Sequence, residues 1–197
     1  MLRSRRLADV ALAAAVATVL IGAFAAFAWV WHEKTRPGAM GDAPARWPES
    51  SAIPRSSGLA TLVMFLHPDC PCSRASLAEL RKVMSQRPGR ARVQVWMTVP
   101  SAASDRDVPF NASTPRGAEV RFDVGGREAA RFGARTSGHV VLYDADGRLR
   151  FHGGITGSRG HAGANAGSDA LLVQLSGLVP GEATAAVYGC ELIEQGP

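Results

Sequence analysis

Hydrophobic and polar positions divide the chain into stretches of different rhythm. From Val10 to Trp31 there is no charged residue at all, and Ala, Val, Leu and Phe dominate. As a helix those 22 residues would be about 33 Å long, enough for a bilayer core of about 30 Å. From Thr35 to Gly58 neither a period of two nor one of 3.6 survives. Pro37, Gly38, Gly41, Pro44, Pro48, Pro54 and Ser56-Ser57-Gly58 read as a linker over 32–58, with Trp47 and Ile53 as candidates to dock on the domain that begins at Leu59. Leu59–Leu66 is a continuous apolar run, the pattern of a strand covered on both faces. Leu77, Leu80, Val83 and Met84 then share one helical face, and Arg87-Pro88-Gly89 ends that helix. Val93, Val95, Met97 and Val99 alternate as in a strand, and residues 101–118 read as a loop or insertion. A short helix is predicted over 126–132. Val140–Tyr143 and Arg148–Phe151 flank the turn Asp144-Ala-Asp-Gly147 as a hairpin. Gly153–Gly167 reads as a flexible loop, and Ser168 is expected to cap a last helix carrying Leu171, Leu172, Leu175 and Leu178 up to Pro180-Gly181. The order strand, helix, strand, helix, hairpin, helix predicts an α/β fold with a mixed sheet over 59–180, followed by a tail, 181–197.

Composition excludes several classes. Hydrophobic residues are 46%, charged residues 20%, with 21 Gly and 12 Pro, values outside the collagen, coiled-coil and wholly disordered ranges. Three cysteines are too few for a disulfide-stapled mini-protein. Of the net charge of +5, residues 1–31 hold +2, from Arg3, Arg5 and Arg6 against Asp9. The remainder is scattered without a basic stripe, so no nucleic-acid partner is expected. The arginines before the apolar run place residues 1–9 in the cytoplasm and make 10–31 a single-pass anchor, with Trp29 and Trp31 at the interface. Ala26-Phe27-Ala28 also fits a signal-peptide cleavage site. Both readings put the C-terminal domain outside the cytoplasm; retention in a bacterial inner membrane, with a periplasmic domain, is favoured.

Chemistry concentrates in His67-Pro-Asp-Cys-Pro-Cys72. A cysteine at a helix start meets unpaired N–H groups and the positive end of the dipole, which favour thiolate. Two cysteines at i and i+2 of a helix would point about 200° apart, so a Cys70–Cys72 bridge requires non-helical geometry or strain. Cys190, beyond the last helix, is the other candidate partner, reachable if the tail folds back; taken alone it also reads as a small buried residue. His67 and His139 are more simply structural, and His32, His152 and His161 have no informative spacing. The Gly153–Gly167 stretch lacks the Lys-Ser/Thr of a phosphate loop.

The stretch Phe65-Leu-His-Pro-Asp-Cys-Pro-Cys-Ser-Arg-Ala-Ser-Leu-Ala-Glu-Leu80, an apolar strand, turn, cysteine motif and helix, resembles the thioredoxin fold and, within it, membrane-anchored periplasmic proteins of TlpA or ResA type. The His-Pro-x-Cys-Pro-Cys-Ser-Arg portion also resembles RedB-like exported proteins. Phe132–Asp144 is similar to the segment entering the family's third strand, and the likeness covers about residues 58–180. The resemblance implies a thioredoxin-like fold, a central mixed sheet flanked by helices, and thiol–disulfide oxidoreductase activity. Cys70 takes the nucleophile's place, and Cys72 or Cys190 would resolve the mixed disulfide. The implied partners are exported proteins with thiols or disulfides, in work such as cytochrome or oxidase assembly, and no cofactor is required. Three departures stand out: Ser73 falls at the family's second cysteine, Asp69 at its usual Trp, and Gly138 at its cis-proline, followed by His139. Gly138 and His139 would then border the substrate. Copper-delivering Sco proteins share the fold and anchor. On that alternative Cys70, Cys72 and His139 or His67 would hold Cu(I), a soft ion suited to thiolates and imidazole. A non-catalytic binding module is a further alternative, consistent with Ser73.

Overall fold

The computed structural model describes residues 2–101, 114–178 and 180–192, with side chains from residue 9 onward. Most of the expected 101–118 loop and the last five residues of the tail lie outside the described residues. The chain forms two compact units, Met1–Arg36 and Pro37–Pro197.

The first unit is one helix, α1 (Leu2–Thr35). Its stretch Asp9–Thr35 is long and apolar enough to cross a membrane. A signal sequence would satisfy the same test.

The second unit is built on a six-stranded mixed sheet. Its elements are β1 (Ala60–Leu66), α2 (Pro71–Gln86), β2 (Ala91–Val99), β3 (Glu119–Val124), α3 (Arg127–Arg131), β4 (His139–Tyr143), β5 (Leu149–Gly154), α4 (Ala166–Ser176) and β6 (Ala183–Ala185). The strand order is β3-β2-β1-β4-β5-β6. β1 runs parallel to β2 and antiparallel to β4, and β4 pairs antiparallel with β5. β3 and β6 extend the two edges in parallel. The central strand β1 reads as an unbroken apolar run because both of its faces are covered. Leu62, Met64 and Leu66 pack with Leu77 and Leu80 of α2 and Leu171 and Leu175 of α4. Val63 and Phe65 pack on the other face with Phe132, Val141, Tyr143 and Ile53.

The sequence pattern assigns no strand to β3 or β6, and four further details differ from expectation, each for a local reason. Residues 37–57 are not a loose tether. Trp47 stands edge-on to Phe132 and Tyr143, at 5.0 and 5.2 Å between ring centres, and Ile53 is buried. Backbone bonds from Gly38 to Val187, Gly41 to Gly133, Trp47 to Gly147 and Leu149 to Ala45 fasten this strap, and the Tyr143 hydroxyl donates to Pro44 O. Without it, one face of the sheet would expose its aromatic residues. Second, Asn165 rather than Ser168 caps α4: its side chain accepts from the Ser168 N–H at 2.9 Å. Third, the helix stops at Gly177 (φ 72°), which leaves Leu178 in solvent. Fourth, Gly153 and Gly154 belong to β5, not to a flexible loop. A β-carbon on Gly153 would run into Ala185 O, and one on Gly154 would lie 2.5 Å from Ala186 O. Glycine is present there because backbone passes too close for any side chain.

Candidate functional site

The end of β1 delivers the chain into the turn His67-Pro68-Asp69, closed by the Cys70 N–H to His67 O at 3.3 Å. Cys70 is the N-cap of α2, with extended backbone (φ −84°, ψ 123°), and Pro71 opens the helix. Proline suits that position because it has no N–H to leave unpaired. Cys70 thus lies outside helical geometry while Cys72 lies in the first turn, so the 200° divergence expected for two helical residues does not apply.

The third sulfur comes from the tail. Beyond β6 the chain leaves the sheet and pairs with the loop that precedes β4. Ser137 N–H donates to Cys190 O at 2.8 Å, Leu192 N–H donates to Arg135 O at 2.9 Å, and Thr136 and Glu191 form an antiparallel bridge. The sulfurs of Cys70, Cys72 and Cys190 all lie within 4.8 Å of one another, and none is bridged. Cys70 and Cys72 are buried and Cys190 is half-buried. A cleft of about 660 Å³ opens beside them, lined among others by His67, Asp69, Cys70, Thr98, Cys190 and Leu192.

Electrostatics single out Cys70. Its thiol is lowered to about 4, chiefly because the Cys72 thiol donates to its sulfur, with Cys190 adding and burial opposing. The same hydrogen bond pushes Cys72 up, reinforced by burial. Burial first, then the hydrogen bond with Cys70, pushes Cys190 up to about 11. The cluster therefore carries one thiolate, on Cys70, solvated by two thiols. The Arg159 guanidinium acts on Cys190 and the Gly160 backbone reaches Cys72. Sequence reasoning missed these two, because nothing in a glycine-rich stretch some 90 residues downstream marks it as a neighbour of the cysteines.

The remaining sequence candidates occupy distinct places around this cluster. Ser73, at the family's second-cysteine position, donates to His67 O at 2.6 Å and shares a 3.0 Å hydrogen bond with Ser137, so it pins α2 to the loop before β4. His67 lines the cleft; its Nδ1 accepts from Asp69 N–H at 3.2 Å. Gly138 has φ 94°, donates its N–H to Phe65 O at 2.8 Å, and lies against Ser76, whose Oγ would be 2.6 Å from a β-carbon. His139 is fully buried, 6.1 Å from the stacked ring of His152, and both its ring nitrogens lack a partner among the described residues. The group that gathers is the three cysteines; neither His67 nor His139 is in it.

No protein-family model and no curated protein matches the chain. Solved structures do. A hypothetical protein of Sinorhizobium meliloti is 18% identical at a TM-score of 0.56, with 83% of this chain and 99% of that one covered. An uncharacterized conserved protein of Geobacillus kaustophilus is 16% identical at 0.55, with 82% and 93% covered. A secreted Mycobacterium tuberculosis disulfide oxidoreductase homologous to E. coli DsbE is 18% identical at 0.38, with 62% and 84% covered. At such identities the likeness is one of fold. The strand order β2-β1-β4-β5 and the cysteine-capped helix leaving β1 agree with it: the fold is thioredoxin-like, in a chain that also carries an N-terminal apolar helix.

Proposed function

We propose that the chain is a membrane-anchored, extracytoplasmic thiol–disulfide oxidoreductase acting through Cys70, with Cys72 or Cys190 as the resolving thiol and exported proteins as partners. The observation that carries this reading is the single thiolate at the N-cap of α2, with two protonated thiols within 4.8 Å of it and a cleft at its side. A thiolate attacks a disulfide, and a neighbouring thiol then releases the product from the mixed disulfide. The test is a thiol map of the full chain purified from an oxidising compartment, with free thiols alkylated and located by peptide mass. One bridge and one free thiol are expected, and three free thiols in air would overturn the reading. Cys70→Ser should abolish reduction of a protein disulfide.

The same three sulfurs favour one second reading, binding of Cu(I) as cargo. Here the third ligand is Cys190 in place of the histidine expected from sequence, and soft thiolates suit that ion. Anaerobic Cu(I) titration that saturates at one ion per chain, and fails to do so in Cys190→Ser, would support it over the redox reading if all three thiols also stay free in air.

A further inference from the structure

The cleft beside the cysteines has features that exchange between protein thiols does not use. Cys70 is 2% exposed and lines this cleft, so a molecule of a few atoms can reach its sulfur from there without displacing chain. Cys190 also lines the cleft, whereas Cys72 does not, so a second sulfur stands beside whatever meets the first. The described lining residues include two carboxylates, Asp69 and Glu191, and no lysine or arginine. Those charges, with the Cys70 thiolate, repel an anionic guest and leave a neutral one unhindered. Thr98 adds a requirement of its own. On β2 it alternates onto the face of Trp96, where Leu192 also packs, and Thr98 and Leu192 both wall the cleft. Thr98 is 2% exposed, and its hydroxyl has no hydrogen-bond partner among the described residues. A buried hydroxyl left unpaired is costly, and an acceptor held in the cleft would complete it. A disulfide sulfur is a weak acceptor, whereas a peroxide oxygen is a good one.

We propose that this cleft is a site for small neutral hydroperoxides, which Cys70 reduces with Cys190 as resolving thiol and the Thr98 hydroxyl as hydrogen-bond donor to the peroxide. The nucleophile is that of the redox reading above, but the substrate is a small molecule in place of a protein disulfide. The Cys70 thiolate attacks the terminal oxygen of R–O–OH. The S–O bond forms, the O–O bond breaks, and the alkoxide RO⁻ leaves and takes a proton from solvent. Cys70 is then a sulfenic acid, oxidised by two electrons, and the peroxide has become an alcohol, or water where R is hydrogen. The Cys190 sulfur attacks the Cys70 sulfur next: the S–S bond forms, the S–O bond breaks, and hydroxide departs as water with the Cys190 proton. Because all three sulfurs lie within 4.8 Å of one another, this condensation precedes further oxidation of Cys70. A dithiol donor then reduces the Cys70–Cys190 bridge and is itself oxidised to a disulfide.

The probes are hydrogen peroxide and cumene hydroperoxide, given to the full chain with dithiothreitol as the dithiol donor. Both should be consumed at least about a hundredfold faster per thiolate than by free cysteine. After one equivalent of peroxide without donor, peptide mass mapping should find Cys70 joined to Cys190. The Cys72→Ser/Cys190→Ser chain should instead hold a Cys70 sulfenic acid that dimedone traps. Thr98→Val, close to threonine in shape, should slow peroxide consumption at least about tenfold, while alkylation of Cys70 by iodoacetamide keeps its rate. Thr98→Ser, which keeps the hydroxyl, should retain the peroxide rate. Circular dichroism confirms folding, and Thr98→Ala takes the place of Thr98→Val if that chain fails to fold. A per-thiolate rate no greater than that of free cysteine, or equal peroxide rates with and without the Thr98 hydroxyl, overturns the proposal. Reduction of insulin is measured in parallel. Insulin reduction without peroxide reduction overturns the peroxide site alone; peroxide reduction without insulin reduction supports it and overturns the reading of protein disulfides as substrates.

Discussion

Cys70 owes its charge to its neighbours more than to its place on α2. The Cys72 thiol is the largest contributor to the stabilised thiolate, so Cys72→Ala should raise the Cys70 titration from about 4 toward the ordinary thiol value of about 8.5. Alkylation of Cys70 should accordingly be level with pH across the neutral range in the unaltered chain and rise with pH in the variant. At Gly138, φ of 94° lies far from the −65° of a proline ring, and the N–H that proline lacks is bonded to Phe65 O. Restoring the family's proline here, Gly138→Pro, should therefore cost about 3 kcal/mol or more in denaturant unfolding rather than improve catalysis. That geometry was not legible in the sequence, where Gly138 is visible only as a residue aligned to a proline. His139 is held down to about 3, by burial first and by His152 second. It stays neutral when folded and takes a proton when unfolded, so stability is full above about pH 6.5 and falls as pH drops from there toward 3, by about 1.4 kcal/mol per unit. Unfolding curves at pH 7 and pH 5 should show this loss, and His139→Leu should remove its share.

At the scale of elements, the strap of residues 37–57 and the tail matter most to the site. The two are tied to each other where the Gly38 N–H donates to Val187 O. A chain starting at Pro37 keeps the strap and should fold as the intact second unit does; one starting at Leu59 loses Trp47 and Ile53 and should unfold at far lower denaturant. Trp47→Ala alone should cost about 2 kcal/mol, less than for a fully buried Trp because the ring is only half-covered. The apolar run of β1, the face of α2 and the Asp144–Gly147 hairpin were legible because periodicity records burial and turn chemistry locally. The strap was legible only at Trp47 and Ile53, the two residues that stand out as docking candidates and do pack on the sheet. The rest of its proline- and glycine-rich composition reads as a linker, and what orders it is a set of long-range backbone bonds that leave no period behind. The glycines of β5 failed for the same reason: a residue chosen for closeness to a distant backbone looks, in sequence, like one chosen for freedom.

For the whole molecule, a mixed sheet with a helix leaving its first strand at the cysteines followed from patterns already present in residues 59–154, whereas the two edge strands, β3 and β6, and the convergence of three sulfurs did not. Only Cys70 and Cys72 are neighbours in sequence. Cys190 stands 120 residues beyond Cys70 and arrives through the fold itself. That separation has a thermodynamic consequence. A bond between Cys70 and Cys72 would close a loop of three residues and remove little freedom from the unfolded chain, about 1.6 kcal/mol on the chain-entropy relation. A bond between Cys70 and Cys190 would close one of some 120 residues and remove about 5 kcal/mol. At about 2–4 °C per kcal/mol for a domain of this size, reducing the second kind of bridge should lower the melting temperature by roughly 10 °C or more, and reducing the first by only a few degrees. A pair of melting curves, with and without reductant, would thus reveal which sulfurs the oxidised protein joins: the stability of the entire fold serves as the readout of one covalent choice.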